Sequence, residues 1–202
     1  DYPARLGVMP REGGNADVRW FEIDPAWLFH PMNAYDTPDG RVVLDVVRHP
    51  KVFHSDPQGF DDGSPRMERW TIHLDSGRVD QVILDDRIQE FPRIDERYTA
   101  RSYRYGWTPG SSGDPSVLDL LIKHDVVHGT QEVRSWAGDQ RLGEFVFEPS
   151  SPDAAEGEGV LMGFVYDASA DASRLVILDA QTMEEIGAVH LPCRVPDGFH
   201  GN

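Results

Sequence analysis

The chain has 202 residues, 39% of them hydrophobic, enough to build a real core in one large domain or two small ones. Its 19 Lys and Arg stand against 35 Asp and Glu, and a formal charge of −16 repels a phosphate backbone, so nucleic acid is not expected as a partner. A single cysteine, Cys193, excludes an internal disulfide framework, and no apolar run approaches the ~20 residues that a membrane-crossing helix needs.

From the start, "DYPARLGVMPREGGNAD" is polar and loop-like and opens on Asp1 rather than Met, so the polypeptide is expected to be a piece of something longer. Helical periodicity is nearly absent, and Pro and Gly interrupt most windows. Strands are predicted instead, each short, rich in β-branched and aromatic residues and bounded by turn residues. They run over 41–49, 66–74, 78–84, 102–107, 116–125, 132–137, 144–149, 159–167, 173–180 and 186–192. The Ser-, Pro-, Gly- and acid-rich stretch 148–159 reads as a surface loop, because strands of one kind continue on both sides.

Three segments repeat one unit, an apolar strand, an Asp opening a turn, and a second strand: "WTIHLDSGRVDQVIL", "LLIKHDVVHGTQEVRSW" and "LVILDAQTMEEIGAVHL". Their aspartates, Asp75, Asp125 and Asp179, are 50 and 54 residues apart (125 − 75 and 179 − 125). That spacing is close to the roughly 40 to 50 residues of a β-propeller blade, although a sandwich with similar hairpins gives it as well. About three blades fit, fewer than the ~4 to 8 of a closed ring.

Of the eight histidines, His49, His54, His73, His124 and His128 lie among charged neighbours and are expected at least half-exposed, while His190 alternates with apolar residues and could be buried. His30, in "WLFHPMNAYD", and His200, in "RVPDGFHGN", each follow a phenylalanine, Phe29 and Phe199. That placing suits either a ring held beside an apolar cavity or a structural histidine in a tight turn. Glu90 and Glu144 are each read as a partly buried carboxylate at a strand start, in need of a partner. For Glu90 the partner could be Arg87, Arg93, Arg101 or Arg104, or the spare N–H of a metal-bound imidazole. Spacing leaves both readings open.

Together "FHPMNAYD", "LDDRIQEFPRIDERYTARSYRYGW", "GEFVFEP" followed by an acidic loop and "GVLMGFVYD", and "VHLPCRVPDGFHGN" resemble the carotenoid cleavage oxygenases, which include lignostilbene dioxygenases and the retinal pigment epithelium isomerase. The resemblance runs from about Arg5 to the last residue, with four motifs in the family's order. It implies an all-β, seven-bladed β-propeller of which residues 1–202 are the C-terminal part, roughly the last three to four blades. It also implies a non-haem Fe(II) held by four histidines, and O₂-dependent cleavage of a conjugated carbon–carbon double bond to carbonyl products.

Carried over residue by residue, the resemblance makes His30 and His200 the third and fourth iron ligands. Glu90 and Glu144 become carboxylates behind them, paired with His30 and His200 respectively, and Phe29 lines the substrate tunnel. The first two histidine ligands and a further glutamate are expected ahead of Asp1. Asp36 stands where the family more often has Glu, and Cys193 occupies a variable position. The implied partners are O₂ and an apolar polyene, a carotenoid or apocarotenoid first and a stilbene second. A cytoplasmic location is expected, with any peripheral membrane contact made by upstream sequence. The rival readings are a propeller that only binds a partner, and a hydrolase using a divalent ion on oxygen ligands.

Overall fold

The computed structural model describes residues 3–53, 63–136, 138–196 and 198. Strands β1 (Arg5–Val8) and β2 (Arg19–Glu22) pair as a short antiparallel ribbon. Next, β3 (Trp27–Asp36), β4 (Arg41–His49), β5 (Arg66–His73) and β6 (Val79–Asp85) form a four-stranded antiparallel meander. In the second sheet the two-residue strands β7 (Ile88–Gln89) and β8 (Arg93–Ile94) both pair with β9 (Tyr105–Ser111), which continues into β10 (Leu120–Asp125) and β11 (Thr130–Ser135). The third is again a meander of four, β12 (Gln140–Pro149), β13 (Gly159–Asp167), β14 (Ala172–Asp179) and β15 (Glu185–His190). Two single-turn 3-10 helices, Asn15–Asp17 and Glu96–Tyr98, complete the described elements. The 148–159 stretch joins β12 to β13 within one sheet, as a surface loop should.

The three repeated segments are the last hairpins of the three sheets, β5–β6, β10–β11 and β14–β15. Each turn closes with one backbone hydrogen bond across four residues: Gly77 N–H to His73, Gly129 N–H to Asp125, and Met183 N–H to Asp179. The donor has positive φ in every case, at 77°, 67° and 56°, which glycine supplies freely and Met183 adopts against its preference. The structural repeat is therefore set by residues 77, 129 and 183, spaced 52 and 54 apart (129 − 77 and 183 − 129). Asp125 and Asp179 accept backbone N–H groups within their turns. Asp75 lies two residues further into its turn and bonds only the Ser76 N–H there.

The sheets bury their faces against one another. Between the first and second lies a cluster of Met32, Val47, Met67, Ile94 and Tyr103. Between the second and third, Trp107 stacks on Phe147 with ring centres 5.1 Å apart and planes 5° from parallel, beside Leu121, Phe145, Leu161 and Leu178. Each such side chain taken from water contributes about 1.5–3 kcal/mol. The last strand of the second sheet, "TQEVRS", is largely exposed and polar, a composition that discourages pairing with foreign strands.

Several expectations need correction. β1, β2 and β3 fall in stretches where no strand is predicted, and β12 starts at Gln140 rather than Glu144. His49 and His124 are 1% exposed rather than half-exposed, because both sit on strands with covered faces. His190 is exposed on the edge strand β15, its alternation with apolar residues notwithstanding.

Candidate metal centre

Three of the residues singled out in the sequence sit on or just after the first strand of each successive sheet: His30 in β3, Glu90 directly after β7, and Glu144 in β12. For Glu90 and Glu144 this revises the strand-start reading. Glu90 follows its strand, anchored by its N–H to the Pro109 carbonyl at 3.0 Å, and Glu144 lies mid-strand.

His30 owes its direction to two irregularities in β3. Leu28 pairs with Arg48 and Pro31 with Val46, then Asn33 with Asp45, so β3 carries an extra residue in each interval. Pro31 has no N–H to give to the ladder, which suits a bulge, and a bulge bends a strand and re-aims its side chains. The strict in-and-out alternation is lost here, and Met32 and Asn33 are both buried although adjacent. Glu144 lies in a similar break, since Leu142 pairs with Val165 and Phe145 with Gly163.

Glu90 receives three donors. Its Oε2 accepts from His30 Nδ1 at 2.6 Å and from the Phe91 backbone N–H at 2.6 Å, and its Oε1 accepts from His49 Nε2 at 2.6 Å. Burial alone pushes this carboxyl up, but the hydrogen bonds from His49, Phe91 and His30 outweigh it and hold the group below the ordinary carboxylate range. An ionised Glu90 can only accept, so the protons are on His30 Nδ1 and His49 Nε2. His30 Nε2 is then the atom a metal would take. Phe91 holds φ of +51°, an uncommon and costly conformation for a bulky residue, and its ring lies 5.2 Å from that of His30.

His49 is the site residue that sequence reasoning missed. A signal was present: Val43, Asp45, Val47 and His49 alternate along β4, and all four are buried. Phe29 meets the His49 ring edge-on at 5.1 Å and lies 6.2 Å from the His30 ring. Trp27 and Phe53 add to the same aromatic group, at 5.8 and 6.4 Å from Phe29.

A buried polar column supports the Glu90 segment. Thr108 Oγ1 donates to Gln89 Oε1 at 2.9 Å and so accepts from His124 Nε2 at 3.0 Å, while Gln89 Nε2 donates to the Arg87 carbonyl. Burial, reinforced by Arg87 against the opposing pull of Asp85 and Asp45, lowers His124 to about 4. It is therefore a neutral donor at physiological pH.

Three of the four arginines considered for Glu90 reach other carboxylates: Arg87 bonds Asp85, Arg104 bonds Asp125, and Arg93 reaches Glu144 at 3.2 Å. His200 and Phe199 lie outside the described residues, and the pairing of Glu144 with His200 lies there with them. Cys193 is exposed. Among the described residues no three His, Cys, Asp or Glu side chains converge as a metal site. An imidazole whose Nδ1–H is held by a carboxylate is nonetheless the donor type that Fe(II) accepts, so His30 fits one position of a histidine-ligated iron.

Known proteins match the whole of this chain. A carotenoid cleavage oxygenase of Mycobacterium tuberculosis is 46% identical over 211 residues, covering 100% of this chain and 42% of that protein. Apocarotenoid-15,15'-oxygenase of Synechocystis is 31% identical, with 100% and 43% covered, and lignostilbene-alpha,beta-dioxygenase isozyme III of Sphingomonas paucimobilis is 34% identical, with 99% and 46% covered. The crystal structure of cobalt-substituted Synechocystis ACO superposes with a TM-score of 0.88 at 28% identity, over 100% of this chain and 44% of that one. The chain thus spans less than half the length of these relatives. The family model described as retinal pigment epithelial membrane protein matches residues 1–202, and the chain belongs to that family, the carotenoid cleavage oxygenases.

Proposed function

We propose that the full-length protein carrying this chain is a non-haem Fe(II)-dependent dioxygenase that cleaves a conjugated C=C bond of a carotenoid or apocarotenoid to carbonyl products. The chain supplies roughly the last three to four blades of one seven-bladed propeller domain, with His30 and His200 as two of four histidine ligands. The observation that carries this reading is the 2.6 Å contact of His30 Nδ1 with Glu90. It supports a ring held through Nδ1 so that Nε2 is the atom offered to a metal, on a chain whose relatives are named as carotenoid and apocarotenoid oxygenases.

Bound ferrous iron supplies activation of O₂, which side chains alone do not. The chain's own residues orient and exclude. Glu90 and, by the same reading, Glu144 set the ring angles of His30 and His200 and raise their basicity. Phe29, with Trp27 and Phe53, offers an apolar aromatic wall beside His30, suited to holding a polyene by burial of its surface with few polar contacts. A phenolic stilbene is the second substrate reading, favoured by the 34% identity to the lignostilbene dioxygenase. A cytoplasmic location, with any membrane contact made by sequence ahead of Asp1, belongs to the same proposal.

The test uses the full-length protein loaded with Fe(II) in air, with apocarotenoid and hydroxystilbene substrates, read by loss of the conjugated chromophore and appearance of aldehydes. Cleavage of one class, and loss of iron in His30→Ala and His200→Ala, is the expected result. Purification without stoichiometric iron, or both substrate classes left intact, would overturn the reading in favour of a propeller that binds without catalysis.

A further inference from the structure

We infer that His49 is a positioning residue for His30, acting through Glu90: its Nε2–H grips the carboxylate oxygen that His30 does not use and so fixes the angle of the His30 ring. The inference rests on the reading of His30 as an iron ligand.

The geometry is that of a bridge. Glu90 spans two imidazoles, with 2.6 Å to His30 Nδ1 on Oε2 and 2.6 Å to His49 Nε2 on Oε1. The terminal torsion of a glutamate is soft and roughly two-fold, so donors on one oxygen leave the carboxylate plane free to swing. A donor on the other oxygen stops that motion. His30 and Phe91 both act on Oε2, and His49 on Oε1.

His49 itself is well placed to be rigid. It is 1% exposed, ends the inner strand β4, and is packed edge-on by Phe29 at 5.1 Å. A ring taken this far out of water is retained at a cost unless it is hydrogen-bonded, and here the bond is to a charged acceptor. With Nε2 directed at Glu90, His49 acts on the ligand's support and not on the metal. It also joins that support to Phe29, so the aromatic wall and the ligand share one anchor.

The experiment compares His49→Gln, His49→Asn and His49→Leu in the full-length protein. Gln can place an amide N–H where Nε2 stands, whereas Asn is too short and Leu has no donor. Affinity for Fe(II) and Co(II) is read by chelator competition, the ligand field by the visible spectrum of the Co(II) form, and folding by thermal unfolding. His49→Asn and His49→Leu are expected to bind metal about 10-fold more weakly with altered Co(II) bands, and His49→Gln to stay within about threefold with the parental bands. If His49→Leu does not fold, the two amides decide the matter. Unchanged affinity and spectrum in His49→Asn, or equal losses in Gln and Asn, would overturn the inference. His30→Ala separates the two readings. If it loses metal while His49→Asn does not, only the role of His49 falls. If it retains metal, the assignment of His30 falls.

Discussion

Burial of His124 beneath the Glu90 segment should cost the fold stability as the pH falls from 6.5 toward 4, where the unfolded state binds a proton that the folded state refuses. The imidazole is 1% exposed and lowered from 6.5 to about 4, chiefly by burial, and its Nε2–H ends the column through Thr108 to Gln89, the residue before Glu90. Unfolded, this histidine takes up a proton below 6.5; folded, it resists until about 4. Between those values the unfolded state holds one more proton, so stability rises with pH and is lost as pH falls, by up to about 1.4 kcal/mol per unit and about 3 kcal/mol over the window. Above 6.5 the contribution is complete. The perturbation is His124→Gln, which keeps a neutral donor for Thr108 and removes the titration. Urea unfolding of the full-length protein and the variant, from pH 7.5 down to 4, isolates this group as the difference between two curves. Wild type should lose about 3 kcal/mol relative to the variant as the solution is acidified. A difference that does not change with pH, or one that grows more favourable to wild type in acid, would refute the reasoning.

The other predictions concern the site and its frame. Glu90→Gln leaves one acceptor oxygen and sets an amide N–H against a donor among His30, Phe91 and His49, so metal affinity should fall about 10- to 100-fold in a chelator competition. Asp45, wholly buried, accepts from Arg69 Nε and Nη2 at 2.7 and 2.8 Å and from the Tyr103 hydroxyl at 2.5 Å. Asp45→Asn removes the countercharge of Arg69 and should cost about 3 kcal/mol in urea unfolding, the low end of the range because the Arg69 side chain keeps 24% of its surface in water. At Gly163 an added Cβ would stand 2.7 Å from the Phe145 ring and 2.8 Å from the Glu144 carbonyl, neither of which can give way easily. Gly163→Ala should therefore destabilise by about 1–3 kcal/mol, seen as a lower Tm, and shift the backbone that carries Glu144.

The hairpins and the residues gathered around Glu90 differ in how far the sequence reveals them, and the reason is the range over which each is determined. Hairpins β5–β6, β10–β11 and β14–β15 are local: strand, turn residue and strand lie within a span of at most about twenty residues, and their repeat is visible as spacing. Even there the Asp is a neighbour of the determinant, which is the positive-φ residue at 77, 129 or 183. Strand β3 is hidden because its two bulges and Pro31 destroy the alternation that marks a strand, and those same bulges aim His30. Glu90 could be singled out as a carboxylate needing a partner, but its partners are 60 and 41 residues away, beyond any periodicity. His49 reads as surface from its neighbours Arg48 and Lys51 and as core from Val43, Asp45 and Val47, and in a covered strand the two-residue alternation outweighs the adjacent charges. His30 and Glu144 thus share a structural cause. Each stands where one strand of a regular ladder takes in an extra residue, so the irregularities that blur the strand pattern are also the points at which a side chain is re-aimed out of the ladder's alternation.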